Sequence, residues 1–257
     1  KTITQASQIE IPRAAANFRY FAAMAESFGS ESHAHPDALN LTLRPPLGTV
    51  ACISPWNLPL YLLSWKIAPA LACGNAVIAK PSEVTPASAH RFAELAQRIL
   101  APGVLNILHG SGAGIGQALV RHPEIKAVSF TGSSLTGAAI AVHCAATFKK
   151  TSLELGGKNP MLIFADANFE QAVQTALRAA FSNQGQICLC ASRILIERSI
   201  YSRFVEAFVA GARAIRLGDP SLADTQFGAL VSSPHLQKVT DAIALAEAEG
   251  GRKLLRQ

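Results

Sequence analysis

The chain has 257 residues, of which 49% are hydrophobic and 16% charged, with a formal net charge of +6. That length accommodates one large domain or two smaller ones, and the balance excludes a disordered chain. The Lys and Arg residues are scattered and not interleaved with aromatics, so no nucleic-acid surface is expected, and an anionic cofactor or carboxylate substrate is compatible with the charge.

Residues 6–28 have helical spacing, with Ile11, Ala14, Phe18, Phe21 and Ala22 able to share one face. Residues 30–40 are polar and turn-rich, and His33 and His35 read as part of a solvated turn. From Gly48 onward strands alternate with helices: strands at 49–53, 76–80, 104–108 and 127–130, helices at 60–72, 86–99, 114–121 and 136–144. The alternation predicts an α/β fold with a doubly wound parallel sheet, a Rossmann-like cofactor domain. A second series follows, with strands at 152–155, 161–164 and 193–197 and helices at 169–181, 200–215 and 234–249. The expected division is a helical lead-in over 1–47, the cofactor domain over 48–150, and part of an α/β catalytic domain over 151–257.

The five cysteines, Cys52, Cys73, Cys144, Cys188 and Cys190, are odd in number and irregularly spaced. That pattern argues against a disulfide framework and for a reducing compartment, read as the cytoplasm. Cys188-x-Cys190 has no matching second pair of ligands, so no metal site is expected. No apolar run reaches the roughly 18 residues of a membrane span, so no membrane partner is expected either. The chain starts at Lys1 inside helix-like sequence and stops soon after Gly250-Gly251-Arg252-Lys253, which reads as a piece of a longer protein.

The most informative segment is Phe181-Ser-Asn-Gln-Gly-Gln-Ile-Cys-Leu-Cys-Ala-Ser-Arg193. It sets Cys188 between a Gly-Gln turn and an apolar strand, where a thiol can be both exposed and rigidly held, as a nucleophile must be. The alternative is a small buried hydrophobe, which is how Cys190 is read. Glu154, flanked by Leu153 and Leu155 and followed by two glycines, is a candidate general base or a salt-bridged strand end. Asn57 lies between Pro55-Trp56 and Leu58-Pro59, and proline fixes its backbone from both sides. An immobile amide there suits an oxyanion donor, or a cap for the helix at Leu60.

Three further segments follow strands and point to a dinucleotide. Gly132-Ser133-Ser-Leu-Thr-Gly137 opens a helix, whose free N–H groups and dipole favour phosphate. Gly110-Ser-Gly112-Ala-Gly-Ile-Gly116 approaches a glycine fingerprint and belongs to the same cofactor rim. In Lys80-Pro-Ser-Glu83 the Lys can bond ribose or phosphate oxygens. Glu83 can accept both hydroxyls of a ribose and would repel a 2′-phosphate, so NAD is expected rather than NADP.

Taken together, SPWNLPL, KPSEVTP, FTGSSLTG, LELGGKNP and NQGQICLCASR resemble the aldehyde dehydrogenase superfamily, in its motif order, from about residue 10 to the end of the chain. The resemblance implies that Cys188 is the catalytic thiol and Glu154 the base for the deacylating water. Asn57, with the Cys188 N–H, would be the oxyanion donor. Lys80 and Glu83 would meet the adenosine ribose and Ser133 the pyrophosphate, while Trp56, Gly112, Gly116 and Leu155 would line the cofactor cleft. The wording is most similar to the branch acting on 2-aminomuconic or 2-hydroxymuconic semialdehydes, whose substrates carry a far carboxylate. Arg13 is a candidate to bind that carboxylate, or else a surface charge. Family members are about twice this length and homo-oligomeric, so the remaining catalytic parts would lie beyond residue 257. The activity implied is NAD-dependent oxidation of a small-molecule aldehyde. The alternatives are a catalytically inactive NAD-binding or interaction protein, and a cysteine hydrolase, for which no partner His motif is visible.

Overall fold

The structure is a computed structural model and describes residues 1–255. It forms two compact units, one spanning Gln8–Leu155 and the other combining Lys1–Ser7 with the residues from Gly156 onward. In chain order the elements of the first unit are α2 (Ile11–Ser27, after the short α1 at Ile3–Gln5), β1 (Ser32–His35), β2 (Ala38–Leu41), β3 (Thr49–Ile53) and α3 (Pro59–Ala72). Then come β4 (Ala76–Lys80), α4 (Ala87–Ala96), β5 (Leu105–Ile107), α5 (Gln117–Arg121), β6 (Ile125–Gly132), α6 (Ser134–Ala145) and β7 (Lys150–Leu155).

The five parallel strands lie in the order β5-β4-β3-β6-β7. β3 is central because it is apolar throughout, so both of its faces can be covered. Its side chains alternate. Val50 and Cys52 join Leu63, Ile67, Val77, Ala79 and Ala89 in a core under α3 and α4, with Phe18 of α2 packed against it. Ala51 and Ile53 face the other way, into a core with Leu119, Val120, Val128, Phe130, Ile140 and Cys144 under α5 and α6. The chain therefore winds both ways from β3, and the strand order reverses between β3 and β6. At such a reversal the loops leaving the strand ends diverge and leave a crevice.

Three features depart from the sequence reading. The polar stretch expected as a turn is an antiparallel hairpin, β1–β2, paired from Ser32↔Leu41 to His35↔Ala38. Every residue of both strands is exposed, so no inward face leaves an alternating apolar signal. The expected lead-in over 1–47 is not a separate body. Phe18 stacks on Phe92 at 5.3 Å, and the buried Asn17 donates to Ser64 Oγ at 2.9 Å, so α2 belongs with the sheet. The expected boundary at 150/151 falls instead after Leu155, because β7 pairs with β6 over its whole length.

The second unit contains α1, β8 (Asn159–Ile163), α7 (Phe169–Phe181), β9 (Ala191–Ile196), α8 (Tyr201–Arg213) and α9 (Ser233–Ala248). β8 and β9 pair in parallel, and Ile163, Val173, Ala176 and Phe204 form the core beneath α7 and α8. Asn168 caps α7 by accepting from Gln171 N–H at 3.0 Å. The Ile3 N–H reaches Pro220 O at 2.8 Å, which is why the first residues belong to this unit.

The turn that ends α3 determines where β4 begins. Gly74 takes φ +78°, its N–H bonds Leu71 O, and the Asn75 N–H bonds Ala70 O. This closes the helix with a left-handed glycine. Asn75 then accepts from Leu47 N–H at 2.8 Å and Gly48 N–H at 3.3 Å, tying the turn to the entry of β3. A β-carbon at Gly74 would stand 2.9 Å from the Pro46 ring as well as bearing the unfavourable φ. Gly74→Ala is expected to cost about 1–2 kcal/mol. Its calorimetric unfolding midpoint should fall by about 2–8 °C, and an unchanged midpoint would count against the turn as a constraint.

Candidate active site

Within the first unit, the residues singled out from sequence gather at the carboxyl ends of the strands. β3 ends at Ile53, and six residues later Pro59 starts α3 with its fixed φ. Asn57 is half-buried between them, and its Oδ1 accepts from the Leu58 N–H at 3.0 Å. That bond ties the Asn57 amide to the backbone of the bend. The alternative role, a cap for Leu60, is not what the structure has: the Leu60 N–H is bonded by Glu10 Oε1 at 3.0 Å. Trp56 beside it is half-buried.

Lys80 ends β4 and is 2% exposed. Its ammonium donates to Pro81 O at 2.9 Å, Gly110 O at 2.8 Å and Glu83 Oε2 at 3.3 Å. All three of its protons therefore find partners within the protein, and Lys80 bridges the β4 and β5 loops. Glu83 keeps a half-exposed carboxylate whose Oε1 accepts from the Gly112 N–H at 3.2 Å. Burial pushes this carboxyl up, but bonds from its own N–H and that of Gly112, together with the Lys80 charge, hold it below its ordinary range. Gly116 packs 3.6 Å from the Lys80 stem when a β-carbon is built on it.

Ser133 caps α6, accepting from the Thr136 N–H at 3.2 Å and donating to Thr136 Oγ1 at 2.9 Å. Gly132 and Gly137 answer packing demands: a β-carbon would meet the Phe130 ring at the first and Leu155 at the second. Gly137 thus lets α6 approach Leu155 at the end of β7. Glu154 sits one residue earlier, opposite Thr131. The apolar surround expected from Leu153 and Leu155 is absent, because β7 is the edge strand and Glu154 is exposed.

Sequence reasoning missed Lys66. It is 5% exposed on α3 and donates to Ser129 Oγ of β6 at 3.2 Å. Burial lowers its amine to about 8, while the charges of Cys52 and Glu154 act to raise it. Burial pushes the Cys52 thiol up to about 12, with Lys66 opposing. A lysine within an apolar helix was the available signal. Arg13, on α2, is exposed. Its Nη2 donates to the Tyr61 hydroxyl at 3.1 Å, and its guanidinium lies 5.3 Å from the centre of the Tyr61 ring.

The thiol loop belongs to the second unit. After α7, Asn183, Gln184 and Gly185 take φ of +52°, +60° and +73°, a left-handed turn that two side-chain-bearing residues rarely adopt. It is held from several sides. Asn183 is 7% exposed, and Gln186 Nε2 donates to Asn183 O at 3.1 Å while its Oε1 accepts from the Val231 N–H at 3.1 Å. The next turn closes with the Cys190 N–H on Ile187 O at 3.1 Å. Asn159 of β8 donates to Cys188 O at 2.6 Å and Cys190 O at 3.1 Å. Cys188 is exposed and lies just before β9, whereas Cys190 is half-buried with its thiol 3.7 Å from Ser182 O. Cys190 therefore sits in the turn that precedes β9. Asn159, Gln186 and Asn183 escaped the sequence reading because polar residues beside glycines also read as ordinary loop.

The model of the aldehyde dehydrogenase family matches residues 1–257. A 2-aminomuconic semialdehyde dehydrogenase of Danio rerio is 51% identical over 255 residues, covering 98% of this chain and 52% of the relative. A 2-aminomuconic 6-semialdehyde dehydrogenase of Pseudomonas sp is 47% identical, covering 97% of this chain and 52% of its own length. Among solved structures, betaine aldehyde dehydrogenase of Staphylococcus aureus in complex with NAD+ superposes with a TM-score of 0.93 at 39% identity, covering 96% of this chain and 49% of that one. The chain spans about half the length of the curated relatives it matches.

The lowered amine of Lys66 makes a prediction about pH. Between about 8 and 10.5 the unfolded chain keeps a proton that folded Lys66 has released. The Lys66 contribution to stability should therefore rise with pH across that window and level off above it, opposed from about 9 to about 12 by Cys52, whose thiol keeps its proton longer in the folded chain. Lys66→Met removes the group, so the urea midpoint of the variant should lack this rise. Equal slopes in the two proteins would eliminate Lys66 as its source.

Proposed function

The chain belongs to the aldehyde dehydrogenase family, and on that premise we propose that it serves the NAD-dependent oxidation of an aldehyde to its acid through a thioester on Cys188. The observation that carries this reading is the exposed Cys188 thiol at the end of a strained, multiply bonded loop. Rigidity of that kind suits a nucleophile, which must meet its carbonyl in one orientation.

In this mechanism the Cys188 thiolate adds to the aldehyde carbon, and negative charge develops on the former carbonyl oxygen. Asn57 Nδ2 and the Cys188 N–H donate to that oxygen. NAD, when bound, supplies the acceptor for the hydride lost from the same carbon. Glu154 takes a proton from the water that hydrolyses the thioester and releases the acid.

The first unit fits such a cofactor. The strand order reverses between β3 and β6, and the capped N-terminus of α6 opens there, offering N–H groups to a pyrophosphate. Glu83, steadied by Lys80 and Gly112, offers a carboxylate to the ribose hydroxyls and disfavours a 2′-phosphate. Trp56, Gly116, Gly132, Ser133, Gly137 and Leu155 would line the cleft.

For the substrate we propose a semialdehyde bearing a carboxylate, as the relatives' names indicate for those proteins. Arg13 would bind the carboxylate while its stem and guanidinium stay fixed on Tyr61. Location in the cytoplasm is supported by five free cysteines, and no helix among the described residues is long and apolar enough to cross a membrane. Homo-oligomeric assembly belongs to the same reading. A second reading, NAD binding without turnover, rests on the half-length span.

Four variants test the proposal. Cys188→Ser should abolish NADH formation, and Asn57→Ala should lower it about 10²–10³-fold. Glu154→Gln should keep a single burst of NADH and lose steady-state turnover; wild-type binding of NAD with no burst would favour the second reading. Arg13→Ala should weaken kcat/KM for a carboxylate-bearing aldehyde roughly 10–100-fold and leave a neutral aldehyde nearly unaffected. An equal loss on both substrates would remove Arg13 from substrate binding.

A further inference from the structure

The first turn of α3 has an unusual support. Its N-cap is Leu58, which has no side chain able to accept the N–H groups at the helix start. Pro59 has no N–H to satisfy, so the first amide that needs a partner is that of Leu60. The partner comes from fifty residues earlier in the chain: Glu10 Oε1 accepts it at 3.0 Å. Glu10 is 5% exposed and Leu60 8%, so this charge-assisted bond is shielded from water.

Glu10 does not act alone. Residues 10, 13 and 17 lie along one side of a helix, and each one grips the start of α3. Arg13 holds the Tyr61 hydroxyl, and the 3%-exposed Asn17 donates to Tyr61 O at 3.2 Å and Ser64 Oγ at 2.9 Å. Ser64 Oγ in turn donates to Tyr61 O at 2.7 Å. These bonds involve residues 60, 61 and 64, immediately after the Asn57-Leu58-Pro59 bend. Asn57 is connected to them by its own Oδ1 bond to the Leu58 N–H and by the Leu62 N–H on Leu58 O at 2.9 Å.

We propose that Glu10 is a positioning residue for Asn57: by accepting the Leu60 N–H it fixes the bend that aims the Asn57 amide at the substrate oxygen. This rests on the oxyanion role proposed above for Asn57. Glu10 touches neither substrate nor cofactor in this scheme. Its carboxylate replaces the missing helix cap, and reach matters more than charge.

The test compares Glu10→Gln, Glu10→Asp, Glu10→Ala, Asn57→Ala and the Glu10→Ala/Asn57→Ala double variant in the full chain, by the single-turnover rate of NADH formation. Glu10→Gln keeps the reach and an accepting oxygen, and should stay within about threefold of the parent. Glu10→Asp keeps the charge but is one methylene short, and should lose roughly tenfold to a hundredfold in rate at unchanged KM for NAD. Glu10→Ala should lose as much, and the double variant should be no slower than Asn57→Ala. If Glu10→Ala does not fold, the Gln and Asp variants decide the question. A parental rate for Glu10→Asp, or losses that multiply in the double variant, would overturn the positioning role while leaving Asn57 in place. A parental rate for Asn57→Ala would overturn the oxyanion reading and this inference with it.

Discussion

The burial of β3 on both faces is the constraint on which the first unit depends. A parallel strand with neighbours on both edges and cores above and below cannot shift by one residue without exchanging Val50 and Cys52 for Ala51 and Ile53. Its end is therefore fixed, and so are the loops that leave it and its neighbour β6. Asn57 follows the one and Ser133 the other, which makes the crevice a product of strand order before any ligand contributes.

Charge in this unit is handled in two contrasting ways. Lys80 is buried yet fully bonded, and its charge is used to brace Glu83 and the glycine loop. Lys66 is buried with one hydroxyl partner and a share of the field from Glu154, and its proton becomes labile near neutrality. The difference is in hydrogen bonds, not depth, since both side chains are almost inaccessible.

The sheet was legible in the sequence because its strands are short apolar runs bounded by Gly, Pro and Asn. The observed β3 and β4 have the bounds read from sequence, and α7 matches too. The hairpin β1–β2 was not legible, since a ribbon with no buried face obeys no hydrophobic alternation. α2 was recognised as a helix, and Ala14, Phe18 and Phe21 of its expected face do turn inward, but the rest of that face differs. Ile11 and Ala22 are exposed, while Glu10 and Asn17 are buried. Polar residues that satisfy a neighbour's backbone look like surface until the neighbour is in view. The same holds for Asn159 and Gln186, whose importance lies in which backbone atoms they reach.

Asn159 carries a consequence for strand register. It is the first residue of β8, and its amide spans the carbonyls on either side of Leu189, next to the strand with which β8 pairs. A slip of that pairing by one position would turn the amide to the opposite face and release the thiol turn. The placement of Cys188 is thereby tied to correct register. A mispaired copy would keep its cysteine but not the fixed geometry around it.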